Sequence, residues 1–157
     1  MNFNFVLFYF LTLTAFNLAE AKTKQVKSEK ILKDLSSTMF TSFEESIKDK
    51  TLAVLFQPNC SSCKKQIKNL DCLKDITNKV ILVGSLANEK RVRRSYLKKK
   101  TAFRGYYIEQ SNLEKLGFDN DIAPQTIFYS IKKGLKFTGY KSCKKIKKKI
   151  EELYASS

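Results

Sequence analysis

The chain has 157 residues, and its 30 Lys and Arg outnumber its 15 Asp and Glu. This length and an apolar content of 43% are typical of one globular domain rather than of a disordered or multidomain chain. The sequence contains no His, which excludes Ser-His and Cys-His catalysis and His-ligated metal sites. Any chemistry must therefore use thiols, carboxylates, amines or hydroxyls.

The first 21 residues have the pattern of a secretory signal peptide. Residues 1–19 carry no charged side chain, residues 5–16 are an apolar run, and Ala19-Glu20-Ala21 is a small-x-small cleavage pattern. We expect cleavage after Ala21 and export to the periplasm or the extracellular space. An uncleaved membrane anchor formed by residues 5–16 is the weaker alternative, because a bilayer-spanning helix needs about 20 residues.

The rest of the chain divides into a basic N-terminal arm over 22–39 and a folded domain over 40–157. Residues 51–57 (TLAVLFQ) are an apolar run of strand length, which predicts a strand buried on both faces. A helix is predicted from Ser61 and a second strand over 79–84. Strand, helix and strand in this order predict a parallel βαβ unit with a right-handed crossover.

Further helices and strands are predicted in the second half of the chain. They are a helix over 88–100, a strand over 105–109, a helical turn over 111–117, and two strands over 125–131 and 135–140. In the helix over 88–100, Val92, Tyr96 and Leu97 are expected to face inward.

Residues 132–134 have the chemistry of a hairpin turn, and Ser142 is expected to cap a last helix. That helix places Cys143, Ile146, Ile150 and Leu153 on one face. The sequence thus predicts an α/β fold with a central mixed sheet. A parallel βαβ unit is followed by an antiparallel hairpin and a C-terminal helix.

The pattern Cys60-Ser61-Ser62-Cys63 lies where the first predicted strand gives way to a helix. Unpaired N–H groups and the helix dipole favour an anion there, and Lys64 and Lys65 add positive charge, so Cys60 is the candidate nucleophile. Cys63 is close enough in sequence to attack a mixed disulfide on Cys60 and release a partner. A static structural disulfide and half of a zinc site are the alternatives, although zinc needs two more ligands.

These residues resemble the thioredoxin superfamily, and more narrowly the exported TlpA/ResA-like thiol-disulfide oxidoreductases. The resemblance covers about residues 40–154 and includes the CxxC pattern, Gly134 and Gly139, and a helix-strand insert over 88–109. It implies a thioredoxin-like fold in which Ala123-Pro124 is a cis peptide whose backbone pairs with the substrate chain near Cys60.

The resemblance also implies a set of partners. These are protein thiols or disulfides, and a membrane dithiol protein is one source of electrons. It implies no bound cofactor and no metal, and we expect a monomer. Two positions depart from the family, which usually has Trp where this chain has Asn59 and often Pro where it has Ser62. The strand before the motif also lacks the carboxylate that thioredoxins tend to bury there.

Cys72 and Cys143 have two interpretations. With Cys60 bonded to Cys63, they could form a structural disulfide between the motif helix and the last helix. On a continuous helix, however, Cys72 would lie about 13 Å beyond Cys63, while Cys143 starts its own helix near the active-site end. A disulfide needs Cα atoms within about 7 Å, so this register argues against the bridge. Two buried free thiols are the other interpretation.

Two lysine-rich runs, over 90–100 and 144–149, hold seven and five cations. Apolar residues keep helical spacing in both, so we expect most of these cations on solvated faces rather than at a nucleic-acid site. Attraction to anionic lipid or to an acidic partner protein ranks between these two interpretations.

Two rival functions stay open on the same fold. One is a Cu(I)-binding chaperone, and the other is a non-catalytic partner-binding module with a permanent Cys60–Cys63 bridge.

Overall fold

The computed structural model describes residues 31–37, 39–42, 46–131 and 133–155. The predicted signal peptide and residues 22–30 of the basic arm lie outside these ranges. Among the residues that are described, no helix has the length and apolar character needed to cross a membrane.

The described residues form seven strands and three α-helices. The strands are β1 (Leu32–Asp34), β2 (Phe40–Thr41), β3 (Thr51–Phe56), β4 (Lys79–Gly84), β5 (Arg104–Tyr107), β6 (Gln125–Tyr129) and β7 (Leu135–Thr138). The helices are α1 (Ser61–Lys68), α2 (Glu89–Lys98) and α3 (Cys143–Ala155). Short 3-10 helices cover Asp71–Leu73, Gln110–Asn112 and Glu114–Leu116.

All seven strands belong to one mixed sheet with the order β2-β1-β5-β4-β3-β6-β7. Strands β3, β4 and β5 are parallel, while β6 is antiparallel to β3 and β7 is antiparallel to β6. Helix α1 connects β3 to β4, and α2 connects β4 to β5. The predicted α/β fold, with its parallel unit, antiparallel hairpin and C-terminal helix, is confirmed.

The core lies on both faces of the sheet. One cluster of buried side chains includes residues of all three α-helices, among them Ile67, Val92 and Ile146, so the helices share one face. The other cluster covers the opposite face and includes residues from the 3-10 region, such as Leu113 and Leu116. Every residue of β3 is buried, as the apolar run predicted for a central strand.

The sheet begins earlier than the sequence predicted. Leu32–Asp34, which the sequence assigned to the basic arm, forms β1 and pairs with β5. Leu32 and Asp34 point inward and are buried, while Lys33 between them is half-buried. A three-residue strand with two charged side chains carries no apolar run, so the hydrophobic pattern did not reveal it.

Helix α2 shows one error in the predicted orientation of side chains. Val92 and Tyr96 are buried as expected, but Leu97 is 56% exposed. Successive side chains of an α-helix are about 100° apart around its axis, so Leu97 lies to one side of the buried face formed by Val92 and Tyr96.

Two glycines allow α2 to lie close to the sheet. A Cβ on Gly84 would overlap the Val92 side chain, and one on Gly105 would overlap the Tyr96 ring. The absence of a side chain at both positions therefore sets how closely α2 packs on β4 and β5.

Candidate active site

The CxxC segment begins one turn after the central strand ends. Asn59 has φ 63°, a left-handed conformation that Asn adopts more readily than most residues. The next residue, Cys60, has φ −81° and ψ 108° and is the N-cap of α1. The structure thus places the Cys60 sulfur at the N-terminus of a helix, where the sequence predicted it.

Cys60 and Cys63 form a disulfide, with Cα atoms 5.2 Å apart. The Cys63 backbone N–H donates to the Cys60 sulfur across 3.0 Å, and the Ser62 hydroxyl lies 3.3 Å from the same sulfur. Cys63 is fully buried, whereas Cys60 is half-buried. The two sulfurs therefore differ in access: an incoming chain can reach Cys60 but not Cys63.

The Ala123-Pro124 peptide lies against the CxxC turn. It is cis, and the Ala123 carbonyl oxygen lies 3.9 Å from the Cys60 sulfur. This approach is a contact rather than a hydrogen bond, because a disulfide sulfur has no hydrogen to donate. Within the described residues, the backbone N–H and C=O of Ala123 make no backbone hydrogen bond, whereas the Pro124 carbonyl accepts from Gly139. The structure thus brings together the predicted site residues Cys60, Cys63, Ala123 and Pro124.

Gln125 is a site residue that the sequence did not reveal. Its side chain is fully buried and its amide donates to the carbonyls of Asp119 (3.0 Å) and Ile122 (2.7 Å). Its Oε1 accepts from the Asp119 N–H at 3.0 Å. Gln125 therefore holds the loop that leads into Ala123. The available signal was the long polar side chain at the start of a mostly apolar strand.

A groove of about 570 Å³ lies beside the CxxC turn, and we call it the basic groove. Its lining consists of Pro58, Asn59, Lys64, Ile67, Lys68, Arg91, Arg94, Ser95, Lys98 and Lys99. Helix α1 forms one wall and α2 the other. Four of the seven cations in the run over 90–100, which the sequence assigned to solvated faces, therefore lie in a concave surface.

Lys99 is the half-buried cation of the basic groove. Its Nζ donates to Ser95 Oγ (2.7 Å) and to the Ser95 carbonyl (3.1 Å), and lies 4.9 Å from the centroid of the Phe56 ring. Burial lowers the pKa of Lys99, and repulsion from the Lys64 charge lowers it further. An anion in the groove would relieve this repulsion.

Cys72 and Cys143 are joined by a second disulfide, with Cα atoms 6.4 Å apart. The expected separation assumed a continuous helix, but α1 ends at Lys68 and a 3-10 turn at Asp71–Leu73 changes the direction of the chain. No cysteine in the described part of the chain is free.

Two hydrogen bonds also tie α1 to the segment before α3. The Lys141 N–H donates to Gln66 Oε1 (2.8 Å), and the Asn69 amide donates to the Tyr140 hydroxyl (2.9 Å). One side of α1 is therefore attached to the start of α3, while its other side faces the basic groove.

No group of three or more Cys, Asp or Glu side chains placed to hold a metal ion occurs among the described residues. The site offers the Cys60 sulfur and the backbone of Ala123 to a reacting partner, while the buried Cys63 sulfur is bonded to Cys60. Reversible formation and cleavage of a disulfide is the chemistry that this set of groups can perform.

The strand order, the disulfide at the N-terminus of α1 and the adjacent cis-proline peptide define a thioredoxin-like fold, and comparison with solved structures confirms it. MTB DsbF, solved in mixed oxidized and reduced forms, is 12% identical with a TM-score of 0.64, and the match covers 78% of this chain and 93% of that one. A thioredoxin-related protein from Neisseria meningitidis serogroup B is 15% identical, with a TM-score of 0.62 and coverage of 79% and 98%.

A secreted disulfide oxidoreductase of Mycobacterium tuberculosis, homologous to E. coli DsbE, has the same fold. It is 10% identical, with a TM-score of 0.61, and the match covers 78% of this chain and 94% of that one. Neither a protein-family model nor a curated protein sequence matches the chain.

Proposed function

We propose that the protein is an exported thiol-disulfide oxidoreductase that exchanges disulfides with partner proteins through Cys60 and Cys63. One observation carries the proposal. A half-buried sulfur at a helix N-terminus is bonded to a fully buried sulfur and lies 3.9 Å from the Ala123 carbonyl. Two of the structural neighbours are named as DsbF and as a disulfide oxidoreductase, which agrees with this chemistry.

The reaction moves two electrons between pairs of sulfur atoms. In the dithiol form, the Cys60 thiolate attacks a partner disulfide, a mixed disulfide forms, and one partner thiolate leaves. The Cys63 thiol then loses its proton and attacks the Cys60 sulfur, which releases the second partner thiolate. The protein ends as a disulfide and the partner as a dithiol, so no cofactor takes part. The reverse sequence oxidises a partner.

Several features of the site assist these steps. The Cys63 N–H, which donates to the Cys60 sulfur, stabilises negative charge on that atom. The buried position of Cys63 directs the first attack to Cys60 and keeps Cys63 for the second step. We assign Ala123 and Pro124 to substrate binding, since the backbone polar groups of Ala123 are not used by neighbouring strands in the described residues.

We propose export because the first 21 residues have the pattern of a signal peptide. We propose the partners because the exchange reaction needs a second pair of thiols or a disulfide. Disulfides persist outside the cytoplasm, which suits a protein that carries two of them. Electrons would pass to or from a second dithiol protein, for which a membrane protein is one source. We expect the protein to act as a monomer. Mass spectrometry of the exported chain should find Lys22 as its first residue.

The test is reduction of insulin disulfides by the protein with dithiothreitol as electron donor. We expect turnover by the wild type and loss of turnover in Cys60→Ser. After dithiothreitol has been removed, reduced Cys63→Ser should trap a mixed disulfide with the partner. A wild type that shows no exchange with insulin or with any oxidised partner in its compartment would contradict the proposal. Stoichiometric uptake of Cu(I) in that case would favour the chaperone, and its absence the non-catalytic module.

A further inference from the structure

We propose that the basic groove binds an acidic segment of the partner protein, next to the cysteine that Cys60 attacks. The inference rests on the proposed function and adds the class of substrate to it. Of the groove's ten lining residues in the described chain, six are Lys or Arg and none is Asp or Glu.

The cations form two facing rows. Lys64 and Lys68 are four residues apart on α1, so they lie on one side of that helix. Arg91, Arg94 and Lys98 have spacings of three and four, which places them on one side of α2. The row on α2 is about 10 Å long at ~1.5 Å per residue, a length that about three residues of extended chain would match.

The cations of the groove have no carboxylate partner in the part of the chain that the structure describes. Among the described residues, none of the six cations forms an ion pair with a carboxylate, whereas Lys33, Arg104 and Lys136 elsewhere in the chain each do. Glu89, in the first turn of α2, pairs with Lys33 of β1 at 2.8 Å. Carboxylates of a partner would therefore meet cations that have no competing ion pair with any described carboxylate.

The position of the groove connects it to the reaction. Pro58 and Asn59 belong to its lining, and the next residue is Cys60. Lys64 lies one helical turn beyond Cys60. A chain whose cysteine meets Cys60 can thus continue directly into the groove, so the acidic residues of the partner should flank its reacting cysteine on one side.

This placement favours a protein segment over a lipid surface. A membrane is broad and flat, whereas the groove is a concave site between two helices and has the volume of a few side chains. A second set of cations on α3, which includes Lys144, Lys145 and Lys148, lines a separate surface and shares no residue with the groove. These three residues supply a matched control.

The experiment measures catalysed reduction of three synthetic peptides by the full chain, with dithiothreitol as electron donor and the uncatalysed rate subtracted. Each peptide has one disulfide, flanked on one side by three Glu, three Ser or three Lys. We expect the Glu peptide to have the highest kcat/KM through a lower KM, with the preference weakening as salt is raised. In the triple variant Arg91→Gln, Arg94→Gln, Lys98→Gln, the ratio of kcat/KM for the Glu peptide to that for the Ser peptide should fall about tenfold.

The control variant Lys144→Gln, Lys145→Gln, Lys148→Gln removes the same charge and should keep the wild-type ratio. Equal losses in both variants, or no preference for the Glu peptide in the wild type, would overturn the inference while reduction of the Ser peptide upholds the proposed function. Binding to anionic vesicles that the groove variant loses, without a peptide preference, would reassign the groove to a membrane. Failure to reduce any of the peptides would overturn the proposed function and the inference with it.

Discussion

The backbone N–H of Cys63 donates a hydrogen bond to the sulfur of Cys60, and the nitrogen and sulfur atoms are 3.0 Å apart. The bond exists because Cys60 is the N-cap of α1 and its side chain takes the place of the usual capping oxygen. When the disulfide is reduced, the same N–H can hydrogen-bond a thiolate, and a bond to a charged acceptor is stronger than one to a neutral sulfur.

We predict that the two thiols of the reduced protein differ in reactivity. Brief treatment with iodoacetamide near neutral pH should alkylate Cys60 about tenfold faster than Cys63, because thiolate character and access both favour Cys60. Peptide mapping by mass spectrometry gives the two rates. Faster modification of Cys63 would contradict the assigned roles, and alkylation of the denatured, reduced chain controls for intrinsic differences.

Gln125→Leu should weaken partner binding and stability together. The substitution leaves the backbone groups of Asp119 and Ile122 without their hydrogen bonds, so we expect the free energy of unfolding to fall by about 1 to 3 kcal/mol. Because the loop before Ala123 loosens, KM for a protein substrate should rise more than kcat falls. Urea denaturation and insulin kinetics measure the two effects.

The matched variant Gln125→Glu keeps an acceptor for the Asp119 N–H but has no donor for the two carbonyls. It should therefore lie closer to Gln125→Leu than to the wild type in both measurements. An unchanged KM in Gln125→Leu would show that the loop does not depend on this side chain for its position.

The sequence predicted those parts of the fold that depend on local patterns, such as apolar runs, chain breaks and helical spacing. The apolar run of β3, its break at Pro58 and the helix that follows were enough to place Cys60 at a helix N-terminus. β1 was missed because it has three residues and one of its two buried side chains is a carboxylate, Asp34. The basic groove was missed because its cations belong to α1 and α2, and only the crossover packing brings those helices side by side.

Asp34 makes the pairing of β1 with the rest of the sheet sensitive to acid. Burial raises the pKa of Asp34, but hydrogen bonds from the N–H groups of Ser37 and Ser36 and from Arg104 outweigh it, so the pKa lies below the ordinary value. A carboxylate with a lowered folded-state pKa contributes stability above the unfolded-state pKa, and that contribution is lost as pH falls through the folded-state value.

Asp34→Asn should therefore lower the free energy of unfolding by about 1 to 2 kcal/mol at pH 7. The difference from the wild type should shrink as pH falls below the unfolded-state pKa of about 4, because the unfolded chain then binds a proton that the folded-state carboxylate does not yet bind. Urea denaturation at pH 7 and pH 3 checks both statements. Asp34→Ala should cost more than Asp34→Asn at pH 7, because it also removes the acceptor for Ser36 and Ser37.

The Cys72–Cys143 disulfide should stabilise the protein without taking part in exchange. It closes a loop with a sequence separation of 71, whereas Cys60–Cys63 closes one of 3. The entropy of the unfolded chain therefore predicts a loss of about 4 kcal/mol in Cys72→Ala, Cys143→Ala. The hydrogen bonds from Lys141 to Gln66 and from Asn69 to Tyr140 remain in that variant.

Because those contacts still hold α1 against the segment before α3, the variant should reduce insulin at close to the wild-type rate at 25 °C while its urea midpoint falls. The double variant Cys60→Ala, Cys63→Ala is the control, with the opposite expected pattern: no turnover and a smaller fall in the midpoint, since the loop it opens is short. Equal midpoints for Cys72→Ala, Cys143→Ala and the wild type would contradict a structural role for this bridge. Loss of turnover in a variant that stays folded would instead assign it to the exchange reaction.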